Sequence, residues 1–436
     1  MALTAPPDTG PSRFRGPGSG ATTIATHILA DRLLPGRGGP IVDAAVVLDG
    51  TSITYAGPAE LAPDPLGTEV VRTDTVMPGM WDCHTHLVGL QRMALTGLYE
   101  VPIAVRAARA TKDLERALRA GVTSIRDAGG MGVLLGRAVR EGSIPGPHVY
   151  GAGAILSPTG GHADLHDLPL EWFHDLAIHD GTLRVCDGVD ACMTAVREQL
   201  RIGADVIKVC ASGGVLSERD HPIHQQFTDA ELRAIVEVAG MADRTVMAHC
   251  HGKPGMLAAI EAGVGSIEHG TYLDEEVCAA MVEREVILVP TRLIVSDLTA
   301  AGQGPLSDAM WQKLLATEAL HRDAVALAHE HGVTIAMGTD IAISTPGAPD
   351  AWGRHGHELG LLVESGLTPL EAIEAATATG PLSLGPRAPR AGQLVAGFDA
   401  DVLTVRGDPS TSIEVLADPA NITGVWKHGV RVVDGR

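Results

Sequence analysis

Short apolar runs and amphipathic stretches of helical length alternate through the middle of this 436-residue chain. Eight of the runs read as strands, near residues 76–84, 122–128, 148–154, 205–212, 245–251, 265–269, 286–291 and 333–339. Runs this short and continuously apolar suit strands covered on both faces. Helical patterns separate most of them. Residues 228–242 open with Thr228-Asp229-Ala230-Glu231, where hydroxyl and carboxylate can each bond the other residue's backbone N–H. Leu232, Ile235, Val236, Val238 and Ala239 then form an apolar face. Residues 310–331 and 369–379 read similarly. Eight alternating units predict an α/β fold, a (β/α)8 TIM barrel of parallel strands.

The two ends follow a different rhythm. Residues 41–48 form a β-type run, Asp49-Gly50 a turn, and Ser52-Ile53-Thr54-Tyr55 a second run. Short strands return at 400–405 and 424–433. The expected organisation is a flexible tail at 1–20, the first part of a small β-sandwich at 21–75, the catalytic barrel at 76–385, and the rest of the sandwich at 386–436. The first 20 residues are rich in Pro, Gly, Ser and Thr and lack an apolar core, so they read as neither secretory signal nor membrane span.

Charge narrows the partners. The formal net charge of -20 argues against nucleic acid or an anionic membrane surface, and no stretch reaches membrane-spanning length. The cysteines, Cys83, Cys186, Cys192, Cys210, Cys250 and Cys278, follow no zinc-ribbon or disulfide spacing. Three of them sit beside the chemistry-bearing residues in strands, where Cys usually acts as a small buried hydrophobe, which favours a reducing compartment and points to the cytoplasm.

Five segments at the ends of predicted strands carry the chemistry. They are Asp82-Cys83-His84-Thr85-His86, Lys208 within Val206-Ile207-Lys208-Val209-Cys210, His249-Cys250-His251, Glu268-His269-Gly270 and Gly338-Thr339-Asp340. Residues i and i+2 of a strand face the same way, so His84 pairs with His86 and His249 with His251. A lone histidine is most often a core or loop residue. An ordered set converging on one barrel mouth is enough to hold two divalent cations. His251 lies roughly 6–7 Å beyond His249, better placed for substrate than for sharing its metal.

These segments resemble the metal-dependent amidohydrolase superfamily. The similarity spans roughly residues 21–436 and rests on residues 77–86, 207–214, 248–252, 267–270 and 337–340, with the Gly397-Phe398-Asp399-Ala400-Asp401 segment. It is closest to the branch of imidazolonepropionase-like and Xaa-Pro dipeptidase-like hydrolases, which includes metallo-carboxypeptidases and ochratoxin-hydrolysing amidases. The resemblance implies that His84 and His86 bind one metal and that His249 and His269 bind the second. Lys208, carboxylated by carbon dioxide, would bridge them. Asp340 would bind the first metal and move protons. A lysine ammonium has no lone pair for a metal, whereas a carbamate has two anionic oxygens. Two metal ions are implied, zinc first, with manganese or cobalt as alternatives.

The implied function is a binuclear amide hydrolase. It would act through a metal-bridging hydroxide on a dipeptide or N-acyl amino acid, including ochratoxin-like amides. A cyclic amidohydrolase or deaminase on the same scaffold is the alternative, and an inactive metal-binding scaffold protein the third. His251 and His162, in Gly160-Gly161-His162, are candidates to touch the substrate. Arg292, just after the seventh predicted strand, could grip a free carboxylate with its forked guanidinium, or could simply pair with a nearby acid. Phe227 stands where some relatives carry Tyr, which weakens transfer of their substrate preference. Residues 155–188, rich in His and Asp, read as a long loop that is either a lid or a solvated surface. The expected partner is a small amide or dipeptide, and the resemblance implies a homo-oligomer.

Overall fold

The computed structural model describes residues 25–435, apart from 218 and 305. The expected tail at 1–20 lies outside them. The middle of the chain is α/β, with strands in two parallel sheets. One contains His148–Gly151, Val122–Asp127, Met80–Leu90 and Ile341–Ile343, in that order. The other runs Leu183–Val185, Ile155–Ser157, Ile207–Cys210, Val246–Cys250, Ser266–His269 and Ile287–Val289. Backbone hydrogen bonds also cross between the sheets. Asp205 N donates to Gly151 O at one edge, and at the other the segment 333–339 joins the sheets, with Leu288 N donating to Thr334 O and Cys83 N to Met337 O.

Register brings the chemistry to one level. Cys210 lies opposite His249, His249 opposite Glu268, and Cys250 opposite His269. Beneath them Trp81, Val206, Met247, Ile287, Val289 and Ala336 pack as one buried layer. Trp81 stacks on Tyr150 with ring centroids 5.2 Å apart.

Strands from both chain ends share one seven-stranded sheet. Its order is Val430–Asp434, Ile422–Lys427, Val402–Val405, Glu69–Pro78, Thr26–Leu33, Ile41–Asp49 and Ser52–Pro58. Trp426, Ile28, Val46 and Val402 form its buried face.

The helices follow their sequence signals. Thr228 and Glu231 make the reciprocal capping box, and the helix runs Asp229–Gly240. The patterns at 310–331 and 369–379 become Asp308–Glu330 and Pro369–Ala375. Two expectations are corrected. The run at 333–339 is no regular strand, holding only a bridge between Ile335 and Leu288, with the strand Ile341–Ile343 following. Residues 155–188 are no plain loop, since they hold two short strands and the helix Leu170–Asp180. Among the described residues no helix is long and apolar enough to cross a membrane. All six cysteines are free and buried.

Candidate metal centre and active site

One cavity gathers every metal-ligand candidate. His84, His86, Lys208, His249, His269 and Asp340 line it, with His162 and His251 beside them. The ring nitrogens of His84 and His269 and an Asp340 oxygen lie within 4.8 Å of one another, as do those of His249, His251 and His269. His86 Nε2 is 3.2 Å from Asp340 Oδ1, and Lys208 Nζ is 3.3 Å from His84 Nε2.

Partners outside the cavity fix which nitrogen each imidazole presents. His84 Nδ1 lies 2.7 Å from Glu268 Oε2, and His86 Nδ1 is 2.8 Å from Gly129 O. His269 Nδ1 meets Thr291 Oγ1 at 2.6 Å, and His251 Nδ1 meets Thr271 Oγ1 at 2.9 Å. Each of these rings therefore turns Nε2 inward. His249 is reversed: its Nε2 faces Gly213 O at 3.3 Å, leaving Nδ1 for the centre. Anchoring the far nitrogen in this way sets the tautomer and raises ligand basicity.

Burial also keeps most of these imidazoles neutral, with one lone-pair nitrogen each. It lowers His84 to about 4 and His251 to about 3, and it pushes His249 and His269 well below the usual histidine value. His86 goes the other way. Burial lowers it, but the hydrogen bond and charge of Asp340 outweigh that and raise it. Burial would raise Asp340, yet His84, His86 and Lys208 hold it at about 2, so it is a carboxylate at neutral pH. Lys208 is 2% exposed, and burial lowers its pKa, which favours a neutral amine.

The backbone is specialised here. His269 and Asp340 adopt positive φ values of 73° and 62°. Residues other than glycine rarely do so, and such strain concentrates at functional sites. Gly338 permits close packing: a Cβ there would sit 2.3 Å from Val289 Cγ1 and 2.9 Å from His84 Cβ.

Sequence reasoning assigned no role to Glu268 or Arg126. Both are fully buried, with Arg126 Nη2 donating to Glu268 Oε1 at 2.8 Å and Nε to Cys83 O. Burial would raise Glu268, but Arg126 and His84 hold it at about 2. Its place between two ligand motifs, one residue before His269, was the available signal. Glu268→Gln should loosen His84 and lower metal affinity by about 10–100-fold in a chelator-competition titration. Unchanged metal affinity would leave Glu268 a purely structural partner of Arg126.

His162 reaches the cavity. Its ring stacks on His249 at 4.3 Å, and its Nδ1 is 3.1 Å from Ser217 Oγ. Arg292 does not reach it. This side chain is 5% exposed, and its Nη1 donates to Ser365 Oγ at 2.7 Å. Its backbone N–H is taken by Glu358 at the start of the helix Arg292–Ala301. Ile294, Val295 and Leu298 of that helix line the cavity instead. The substrate contact expected of Arg292 is thus corrected to a packing role. Arg292→Leu should lower the melting temperature while leaving KM equal for substrates with free and amidated carboxylates. A KM rise confined to free carboxylates would reverse that assignment. Phe227 is also core, 1% exposed.

Above the polar floor the walls are apolar, including Val88, Leu98, Ile155, Val215, Ile294 and Leu298. An apolar vestibule over clustered imidazoles and a carboxylate suits hydrolysis of a greasy molecule at one polar bond.

The sequence carries the same class. Residues 75–432 match the Amidohydrolase family, and the chain belongs to it, in the Xaa-Pro dipeptidase-like branch; it is a hydrolase acting on C–N bonds. The chain is 42% identical to ochratoxinase from Aspergillus niger over 420 residues, 93% of this chain and 86% of that protein. The crystal structure of A. niger ochratoxinase superposes with a TM-score of 0.87 at 39% identity, covering 94% of this chain and 96% of the other. A Xaa-Pro dipeptidase crystallised with methionine in its active site gives a TM-score of 0.81 at 29% identity, covering 93% and 99%. Imidazolonepropionase from Streptomyces griseus is 26% identical over 94% of this chain and 100% of its own length.

Proposed function

We propose that this chain is a binuclear metal-dependent amide hydrolase that releases an amino acid from an N-acyl amino acid or dipeptide with a large apolar side. The observation that carries the reading is the apolar wall standing over a floor of imidazoles, Lys208 and Asp340. Similarity to ochratoxinase adds an ochratoxin-like amide to the substrates to be tried first. We read the two parallel sheets as one (β/α)8 barrel at 76–385, supported by the hydrogen bonds that cross between them. The seven-stranded sheet is then the small sandwich-like lobe.

The donor set fits two divalent cations, with zinc the first choice for imidazole and carboxylate ligands. His84, His86 and Asp340 would hold one, His249 and His269 the other, and a carbamate on Lys208 both. When bound, such ions lower the pKa of water toward 7 and polarise a carbonyl. The chain's own residues do the rest. Asp340, held ionised, accepts a proton from the attacking water and returns it to the leaving amine. His251, with Thr271 Oγ1 donating to its Nδ1, would keep its single proton on Nε2 and donate it toward the carbonyl oxygen as charge grows there. His162 closes one side of the cavity beside His249. The apolar wall excludes bulk water, which strengthens each of these contacts. The surroundings are read as cytoplasmic and the assembly as a homo-oligomer.

The test is a library of N-acyl amino acids and dipeptides, assayed with zinc, manganese and cobalt. Release of a free α-amino acid, fastest with aryl or long alkyl acyl groups, is expected. Ring opening or ammonia release without amino-acid release would replace this reading by the cyclic amidohydrolase or deaminase alternative. No turnover of any substrate by metal-loaded protein would favour the inactive scaffold.

A further inference from the structure

A second cavity lies away from the ligand cluster. His148, one of its lining residues, begins the strand His148–Gly151, whereas the ligands crowd the opposite strand ends. The helix Gly132–Arg140 and the turn after it contribute Val139, Arg140 and Ile144. The C-terminal strand pair contributes Lys427, His428 and Val430. The cavity therefore opens between the parallel-sheet part of the molecule and the seven-stranded sheet.

Its charges run against those of the chain. The protein carries 53 acidic against 33 basic residues, yet no Asp or Glu lines this cavity. Two full cations do, Arg140 and Lys427. Lys427 Nζ donates to the neutral carbonyl of Gly146 at 2.7 Å. Among the described residues, neither cation has a carboxylate within ion-pair distance. The nearby acids are engaged elsewhere: Asp401 Oδ2 is 3.0 Å from His148 Nε2 and its Oδ1 accepts from His428 N, while Asp205, which Arg140 also influences, accepts from Gly151 N at Oδ2. Burial pushes the Lys427 ammonium down to about 8, with Asp401 opposing and the like charge of Arg140 adding to the fall. Two neighbouring cations in a partly desolvated cavity thus lack a directly paired anion, and a carboxylate between them would fill that position. Leu118, Val139, Ile144, Val430 and Val432 give the cavity an apolar body.

We propose that this cavity is a second ligand site, which takes an organic monoanion with an apolar body, its carboxylate between Arg140 and Lys427. An aryl or medium-chain alkyl carboxylate has that chemistry. The ligand would bridge the two parts of the molecule and stabilise their packing without touching the catalytic cavity. The inference is independent of the substrate assignment above.

Phenylacetate titrated calorimetrically into the metal-loaded enzyme is the probe, with neutral phenylacetamide as its uncharged counterpart. Phenylacetate should bind and phenylacetamide should not. Arg140→Gln and Lys427→Gln should each weaken phenylacetate binding by roughly tenfold or more, since each removes a charge-assisted hydrogen bond to the carboxylate. Turnover should be unchanged in both variants. Equal affinity in the double variant and the wild type would place the probe elsewhere and overturn the proposal, as would absence of binding to the wild type. A measurement on unmutated enzyme guards against misfolded variants: trinitrobenzenesulfonate labelling of Lys427, followed by peptide mass spectrometry, should slow with phenylacetate. No protection of Lys427 at saturating probe would also overturn it.

Discussion

Lys208→Ala should lose metal and activity together, with turnover falling by about 100-fold or more. Changes to groups that merely orient ligands typically cost about 10–100-fold in affinity or activity. A residue that would contact both cations should cost at least as much. The geometry favours this role over that of a buried ion pair. Lys208 is 2% exposed, its Nζ lies 3.3 Å from His84 Nε2, and no carboxylate among the described residues is in ion-pair contact with it. A buried ammonium left so would be costly. Burial lowers its pKa and so shifts it toward the neutral amine, the form that adds carbon dioxide. Elemental analysis and kcat must be measured on the same sample. Acetate or propionate should restore part of both in the variant by standing in for the carbamate. Lys208→Met, which keeps the apolar stem, serves as a folding control and should lose metal equally. Normal metal content and turnover in Lys208→Ala would remove the bridge from the proposed centre.

The parts of this centre that were legible in the sequence are those set by strand geometry. His84 with His86, and Lys208, stand on regular strands, where a period of two fixes the face and the strand end fixes the height. The capping box at Thr228 and Glu231 was legible because it is closed within four residues. Arg292 was misjudged for a related reason. Its place after a strand gave its height at the mouth, but it begins a helix. Successive helical residues turn by about 100°, so Arg292 points some 200° away from Ile294, which lines the cavity. Local pattern cannot give that rotation, because packing of the whole helix sets it. Glu268 and Arg126 were hidden for another reason: they act through contacts 142 residues apart in the chain. The two strands inside 155–188 are three residues each, and the helix Leu170–Asp180 buries only Phe173 and Ala177, so no period registers against the His and Asp content.

Asp340→Asn separates proton transfer from metal binding. Asparagine preserves the shape and one oxygen for coordination, but its amide cannot take up a proton as a carboxylate does. The variant should keep at least part of its metal while kcat falls by about 10²–10⁴-fold or more, since this residue would serve both proton transfers. The surroundings make the carboxylate hard to replace. His86 Nε2 lies 3.2 Å from Asp340 Oδ1 and His84 Nε2 3.6 Å from it. Those imidazoles and Lys208 hold it below the usual carboxylate range, at about 2, so it is a carboxylate at neutral pH. The opposing view is that Asp340 only shapes the backbone, where its φ of 62° is one that Asp tolerates better than most residues. Asparagine tolerates that region too, so on this view the variant would fold and turn over almost normally. Loss of a negative ligand also weakens one metal, so kcat must be compared at matched metal content. Near-normal kcat in metal-loaded Asp340→Asn would exclude Asp340 as the proton carrier. His251 would then be the next group to test: it lines the same cavity, and its Nδ1 contact with Thr271 leaves Nε2 facing inward.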